Sequence, residues 1–353
     1  MSHMQLENLE VAKTQVTQIG IVVIGRNEGE RLLLSLGAAK SQCQHVVYAD
    51  SASTDGSVEA ALGMGVTVVC LSADGLLTAA RGRRAGFEQL VQDAPECRFV
   101  QFIDADCILE EEWLATASSF LDSRKEAGVV CGRRYEAFPM ASLYHRLIDA
   151  EWDTPIGLAK ACGGDALMRV EAVRSAGSFR ADLVAGEEPE LCTRLRAAGW
   201  EIWRIDAPMT EHDAKISRLR EWWKRSERGG LGYAQARAAT QRTGQPLYGR
   251  QIASALFWTV ILPLLVAAAA SLEQDWRVLL LLPALYMLQG CRIFVRRGGG
   301  TDFAFRVSAA AVMMLMKIAE AKGIFSYLVG QKKLEARAHR NGEVRVLRPT
   351  ARA

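Results

Sequence analysis

The chain has 353 residues, enough for one large domain and a smaller unit, and its formal net charge is only +3. That charge is unevenly spread: residues 1–214 hold 20 Lys and Arg against 32 Asp and Glu, residues 215–250 hold 9 against 2, and residues 331–353 hold 7 against 2. Basic stretches flanking apolar segments suit an anionic membrane surface, and no nucleic-acid recognition motif accompanies them. Eight scattered cysteines without a Cys-x-x-Cys pair argue against a zinc site or a disulfide framework and fit a reducing compartment.

Met1-Ser2-His3-Met4 reads as a cloning scar, and residues 1–16 as an N-terminal extension. The first apolar run, Ile19 to Ile24, is too short for a signal peptide and reads as a buried strand. It is bounded by Gly25-Arg26-Asn27-Glu28-Gly29 and followed by a helix carrying Leu32, Leu33 and Leu36. His45 to Ala49 is a second strand, running into Asp50-Ser51-Ala52-Ser53-Thr54-Asp55-Gly56-Ser57. A helix, a strand from Val66 to Cys70, a long helix from Leu76 to Val91 and a strand from Arg98 to Ile103 follow. Strands alternating with helices at this spacing predict an α/β domain with a doubly wound, mostly parallel sheet.

The Arg98–Ile103 run ends in Asp104-Ala105-Asp106. Aspartates are poor strand formers, and the carboxyl ends of strands are where open α/β sheets bind ligands. Two hard oxygen donors there suit Mg²⁺ or Mn²⁺, and the alternative is a helix N-cap before Glu110-Glu111-Glu112. Further on, Val129 to Cys131 is apolar, Phe138 to Ala161 is of mixed helical character, and Gly163-Gly164-Asp165 leads into a short strand. Gly186-Glu187-Glu188 opens a helix through Leu191 and Leu195, where acidic residues also suit the helix dipole. Glu201 to Ile205 is another strand, and Glu211-His212-Asp213 follows Pro208.

Composition changes at Gln251. Ile252 to Leu272 carries no charge over 21 residues, and Val278 to Val295 is a second apolar run. Both have the length of a bilayer-spanning helix, joined by the short, on balance acidic loop Glu273 to Arg277. Arg292, Arg296, Arg297 and Arg306 lie at or beyond the end of the second run, so the positive-inside rule puts the large domain and the tail in the cytoplasm. Phe303 to Leu328 is apolar but carries Arg306, Lys317, Glu320 and Lys322, the pattern of a helix lying in the headgroup region. The expected division is a catalytic domain over 17–214, a basic linker region over 215–250, two transmembrane helices over 251–297, an interfacial helix over 303–330 and a basic tail over 331–353.

Together these segments resemble the family-2 inverting glycosyltransferases of the GT-A fold, over roughly residues 17–240. The resemblance places Asn27, Glu28, Asp50, Ser53 and Asp55 at the nucleotide. Arg81, in Ala79-Ala80-Arg81-Gly82-Arg83, lies beside the base and ribose, with Gly82 where the family commonly has Asn. It makes Asp104-Ala105-Asp106 the metal motif, with Asp106 and Asp104 as ligands and His212 about where some members hold a further metal or diphosphate ligand. Glu187 and Glu188 stand at the family's Glu-Asp pair, so Glu188 becomes the general base on the acceptor hydroxyl. Gly163-Gly164 resembles the acceptor-side segment, with Asp165 replacing a small residue as either an acceptor contact or a salt-bridge partner. Trp222 and Trp223 fall on the acceptor side, and Arg225 and Arg228 either pair with diphosphate or form a solvated basic face.

The resemblance implies a membrane-anchored, Mg²⁺- or Mn²⁺-dependent enzyme of the inner membrane. It would move a sugar from a nucleotide-sugar donor, UDP-linked in preference to GDP-linked, to a lipid-linked acceptor in surface polysaccharide or glycolipid synthesis. The alternatives are a polyprenyl-phosphate glycosyltransferase and a catalytically silent sugar-nucleotide-binding membrane protein. A nucleotidyltransferase is disfavoured because no Gly-rich, Lys-bearing triphosphate loop adjoins the first strand. The processive members' Gln-x-x-Arg-Trp motif is absent, which points to single transfers.

Overall fold

The structure is a computed structural model and describes residues 18–296, 302–338 and 343–349; the extension over 1–16 and the rest of the tail lie outside the described residues. The chain begins with β1 (Ile19–Gly25), α1 (Glu30–Gln42), β2 (His45–Asp50), α2 (Ser57–Gly63), β3 (Thr67–Leu71), α3 (Ala79–Asp93) and β4 (Phe99–Asp104). The strands are apolar at nearly every position because helices cover both faces of the sheet. α3 starts at Ala79, three residues later than the apolar pattern suggests, because Thr78 caps it by accepting from the Arg81 N–H.

There follow β5 (Cys107–Leu109), α4 (Trp113–Ser123), β6 (Ala127–Glu136), α5 (Leu143–Trp152), β7 (Gly157–Leu158), β8 (Ala166–Arg169), α6 (Val170–Ser175), α7 (Glu187–Ala197) and β9 (Glu201–His212). The sheet order is β10-β3-β2-β1-β4-β8-β6-β9-β5, with β7 beside β9 and β10 (Val344–Leu347) closing the far edge. Strands β3, β2, β1 and β4 are parallel, whereas β8 is antiparallel to both β4 and β6, so the sheet is mixed. Register sets Gly25 beside Asp50 and Ile24 beside Asp104, which brings the tips of β1, β2 and β4 to one edge.

After β9 come α8 (Leu219–Thr240), α9 (Gly249–Leu256), a π-helical segment (Phe257–Ile261), α10 (Leu262–Glu273), α11 (Leu281–Arg296) and α12 (Phe303–Ala338). The continuous helices Gly249–Glu273 and Trp276–Arg296 are long and apolar enough to cross a membrane, with mean hydropathies of 2.2 and 1.9, and little of either is buried. The helix read as ending near Leu328 continues to Ala338. It also does not rest on headgroups alone: Phe305, Ala309, Met316 and Ala319 are buried in a cluster with Trp222 of α8 and Leu147 and Ile148 of α5. In the tail, read as a basic extension, Val344 to Leu347 instead pair antiparallel with β3.

Helices α8 and α12 cross in backbone contact through two glycines. A methyl group on Gly230 would overlap the Glu320 carbonyl, and one on Gly323 the Glu227 carbonyl. Replacing Gly by Ala inside a helix ordinarily gains about 1 kcal/mol, but here the obstacle is helix backbone, which cannot swing aside. Gly230→Ala and Gly323→Ala are therefore each expected to destabilise by about 1–3 kcal/mol, read as a lower melting temperature in detergent micelles.

Candidate active site

The site is built on buried arginines. Arg83, on the second turn of α3, is 2% exposed; it donates to Asp104 Oδ1 at 2.6 Å and to Glu187 Oε1 at 2.7 Å. One guanidinium thus joins the tip of β4 to the first turn of α7. Arg134, on β6, lies 3.4 Å from Asp104 Oδ2, 3.8 Å from Asp106 Oδ1 and 3.6 Å from Asp165 Oδ2, over the Trp152 ring. Burial disfavours charge on both arginines, but the carboxylates around them outweigh it and hold both above the usual guanidinium range. Gly164 is small for a direct reason: a Cβ there would press on the Arg83 guanidinium at 2.6 Å and on Asp104 Oδ2 at 3.0 Å.

Asp106 and His212 meet across the β5–β9 pairing, with His212 Nε2 at 3.5 Å from Asp106 Oδ2. The other ring nitrogen, Nδ1, lies 3.1 Å from the buried Glu136 carboxylate, which also accepts from the Ala214 N–H. Burial opposes charge on His212, yet hydrogen bonds to Asp106 and Glu136 push its pKa up to about 9. Burial also opposes charge on Asp106, but His212 and Arg134 hold it well below the usual carboxylate range. A carboxylate and an imidazole braced by a second carboxylate fit a divalent cation such as Mg²⁺ or Mn²⁺. The Cys107 thiol is close by but buried and held protonated, a poor match for a hard ion. Asp104 is spoken for by Arg83 and Arg134.

Glu188 is almost fully buried at the start of α7, and Oε1 accepts from the Cys162 N–H at 2.6 Å and the Cys162 and Cys192 thiols at 3.1 and 2.9 Å. Burial raises its pKa, and those hydrogen bonds only partly offset this. Gly186 sits before it at φ 80°, a left-handed conformation that turns the chain into the helix. Asp104, Asp106, His212, Glu187 and Glu188 converge with Arg83, Arg134, Gly163 and Gly164 on one cavity of about 950 Å³. Trp222, Arg225 and Arg228 of α8 line the same cavity.

The remaining expected site residues sit elsewhere. Asp50 is buried at the tip of β2, accepting from the Tyr48 hydroxyl and the Ser53 N–H. Ser53, Asp55 and Asn27 staple the β1 and β2 loops: Ser53 Oγ and an Asp55 oxygen accept from the Asn27 and Gly29 N–H groups, and Asn27 Oδ1 accepts from Thr54. Glu28 is ion-paired with Arg31, and burial raises its pKa. Arg81 is buried and donates to the carbonyls of Ser72 and Leu76, so it ties down the loop before α3. Ala105 is buried against Gly25. Trp223 packs into the α5–α12 cluster and is absent from the cavity wall. Asp165 lies behind the wall, fully buried, accepting from the Asp104 N–H and the Thr210 hydroxyl and paired with Arg134. Of the two roles left open for it, the salt bridge is the one its position provides. Sequence reasoning missed Arg83, Arg134, Glu136, Cys162 and Cys192; only Arg134 left a trace, as a charge interrupting an apolar strand.

Residues 20–175 match the protein-family model described as glycosyl transferase family 2. The matched segment, a little under half of the chain, is thus similar to family 2 glycosyltransferase domains, and its fold is of the GT-A type. Among solved structures it is similar to a mannosyltransferase, PcManGT from Pyrobaculum calidifontis in complex with GDP-Man and Mn²⁺, at 18% identity and TM-score 0.58, over 91% of this chain and 94% of that one. It also aligns with S. aureus TarS 1–349 at 14% identity and TM-score 0.46, over 89% of this chain and 92% of that one. No curated protein matches the sequence.

The double ion pair of Arg83 is testable directly. Arg83→Lys keeps the charge but cannot fork between two carboxylates; Asp104 retains Arg134, whereas the mostly buried Glu187 loses its partner. A loss of about 3–5 kcal/mol is expected, measured by denaturant unfolding of the detergent-solubilised protein.

Proposed function

We propose that the protein is an inverting, divalent-cation-dependent glycosyltransferase acting at a membrane on a lipid-linked acceptor, in surface polysaccharide or glycolipid synthesis. The observation that carries this reading is the convergence of Asp106, His212, Glu187 and Glu188 on one cavity, in a domain similar to those of this family. Asp106 and His212 would hold the cation, whose chemistry when bound would be to neutralise charge on the donor's diphosphate. Glu188 takes the proton from the acceptor hydroxyl as its oxygen attacks the anomeric carbon. The bond from that carbon to the diphosphate breaks on the opposite face, and the configuration inverts. Burial suits Glu188 to this work, because a carboxylate with a raised pKa is a stronger base.

Arg83 holds Asp104 and Glu187 in register, so the cation side and the acceptor side keep a fixed separation. The donor is a nucleoside diphosphate sugar. The sequence resemblance favours UDP, whereas the similar archaeal structure was solved with GDP-Man, so a screen needs both. Membrane placement is supported by the two long apolar helices, whose Leu264, Leu265, Leu279, Leu280 and Leu288 are exposed. The catalytic domain then faces the cytoplasm, as the arginines following the second span require.

Thermal-shift screening of UDP-, GDP- and dTDP-sugars is expected to show one donor stabilising the protein only when Mn²⁺ or Mg²⁺ is present. Asp106→Ala and Glu188→Gln are each expected to lower kcat on the order of 10²- to 10³-fold while the protein stays folded. Normal turnover by both variants would defeat the mechanism. A fully active Glu188→Gln alone would redirect it to an acceptor already ionised, such as a polyprenyl phosphate.

The acid limb of the rate profile provides a second check. Glu188 must be unprotonated to act, and its pKa is raised above the ordinary 4.5. Activity is therefore expected to fall as pH drops through an apparent pKa above that value, and kcat of the Glu188→Gln variant to lose this limb.

A further inference from the structure

The cavity is electrostatically divided. Its sheet side carries Asp104, Asp106, Glu187 and Glu188 against Arg83 and Arg134, an excess of negative charge that a donor-bound cation answers. The helical side carries Lys224, Arg225, Arg228 and Lys317 against only Glu151 and Glu320. Arg225 is paired with Glu151 at 3.0 Å and Lys317 with Glu320 at 2.7 Å. Among the described residues neither Lys224 nor Arg228 makes an ion pair within 4 Å, and Lys224 acts only at longer range on Glu221, one turn before it on α8. Trp222, 7% exposed, lines the same side, and its buried indole N–H has no acceptor. This half of the cavity is short of an anion bearing hydrogen-bond acceptors.

A second groove, of about 840 Å³ and almost wholly apolar, lies between α11 and α12; its walls include Tyr286, Gly290, Phe294, Phe303 and Met314. It opens where Met287 of the second candidate span and Phe303 and Ile318 of α12 are exposed. Lys317 lines both the groove and the catalytic cavity. Its partner Glu320 lines only the cavity, so the ammonium lies toward the charged side while the aliphatic stem borders the groove. An apolar channel thus meets a cationic chamber at one lysine.

We propose that the acceptor is a lipid phosphate. Its hydrocarbon chain lies in the α11–α12 groove, its phosphate among Lys317, Lys224, Arg228 and the Trp222 indole N–H, and its hydroxyl-bearing head extends to Glu188. This rests on the glycosyltransferase reading for the nucleophile and adds to it the chemical class of the acceptor and the path by which it enters.

The test is a binding measurement on the full-length protein in phosphatidylcholine nanodiscs with EDTA, so that no divalent ion draws phosphate to the sheet side. Geranylgeranyl phosphate is compared with geranylgeraniol, which lacks the charge, and with inorganic phosphate, which lacks the chain. Geranylgeranyl phosphate is expected to bind at least about tenfold more tightly than either. Lys317→Ala should bring it down to the level of geranylgeraniol, and Arg228→Ala reads the same loss should the lysine variant fail to fold. Gly290→Trp should remove the contribution of the chain, because Gly290 lines the groove and a Cβ there meets no atom within 4 Å, which leaves a side chain free to start into it. Equal affinity for the phosphate and the alcohol, or a chain contribution untouched by Gly290→Trp, overturns the proposal. Stabilisation by nucleotide sugar, measured on the same nanodisc preparations after EDTA is exchanged for Mn²⁺, separates the two readings: its persistence alongside either negative result removes the acceptor assignment alone.

Discussion

One guanidinium holds the two halves of the catalytic cleft together. Arg83 is buried, and its two carboxylate partners come from segments more than eighty residues apart, the end of β4 and the start of α7. A cation so placed is tolerable only because both partners are present, and each partner is oriented only because the cation is. Arg134 repeats the device one strand over, tying Asp104, Asp106 and Asp165 together. The cleft is therefore a lattice of alternating charge, in which the groups proposed to do chemistry are held rigidly by groups that do none.

The helices downstream of the domain complete this cleft. α8 supplies Trp222 and the basic residues of its far wall, and α12 supplies Lys317 and Glu320. Glycine-to-glycine contact between these two helices sets their separation to that of touching backbones. The cavity proposed to receive the acceptor is thus shaped by elements that follow the GT-A domain in sequence and adjoin the apolar helices in space.

The parallel half of the sheet could be read from the sequence because β1, β2, β3 and β4 are buried on both faces, which leaves continuous apolar runs with aspartates at their tips. β6 and β9 were read too short. Arg133 and Arg134 follow the apolar run in β6, and Asp206 and Pro208 follow Ile205 in β9, in each case breaking the apolar pattern that marks a strand. β5 and β7 are three and two residues long, below what periodicity registers, and β10 alternates with arginines in a basic tail. Within the site, Asp104, Asp106, Glu187, Glu188 and His212 were visible through motif resemblance. The bracing of Glu188 by Cys162 and Cys192, and of His212 by Glu136, was not, because each depends on which distant segments the fold brings together. Several residues expected at the nucleotide spend hydrogen bonds on shaping loops, as Asn27, Ser53 and Asp55 do.

The short strand β10 has a topological consequence. The chain leaves the sheet after β9, near one margin, runs through all the apolar helices, and rejoins it at β3 on the opposite margin. The helical module is moored at both ends to a single platform, like a handle fixed to a case, and cannot swing as a pendant on one tether. Residues 344–347 also satisfy peptide groups along the free edge of β3, and thereby keep an apolar border from recruiting another molecule.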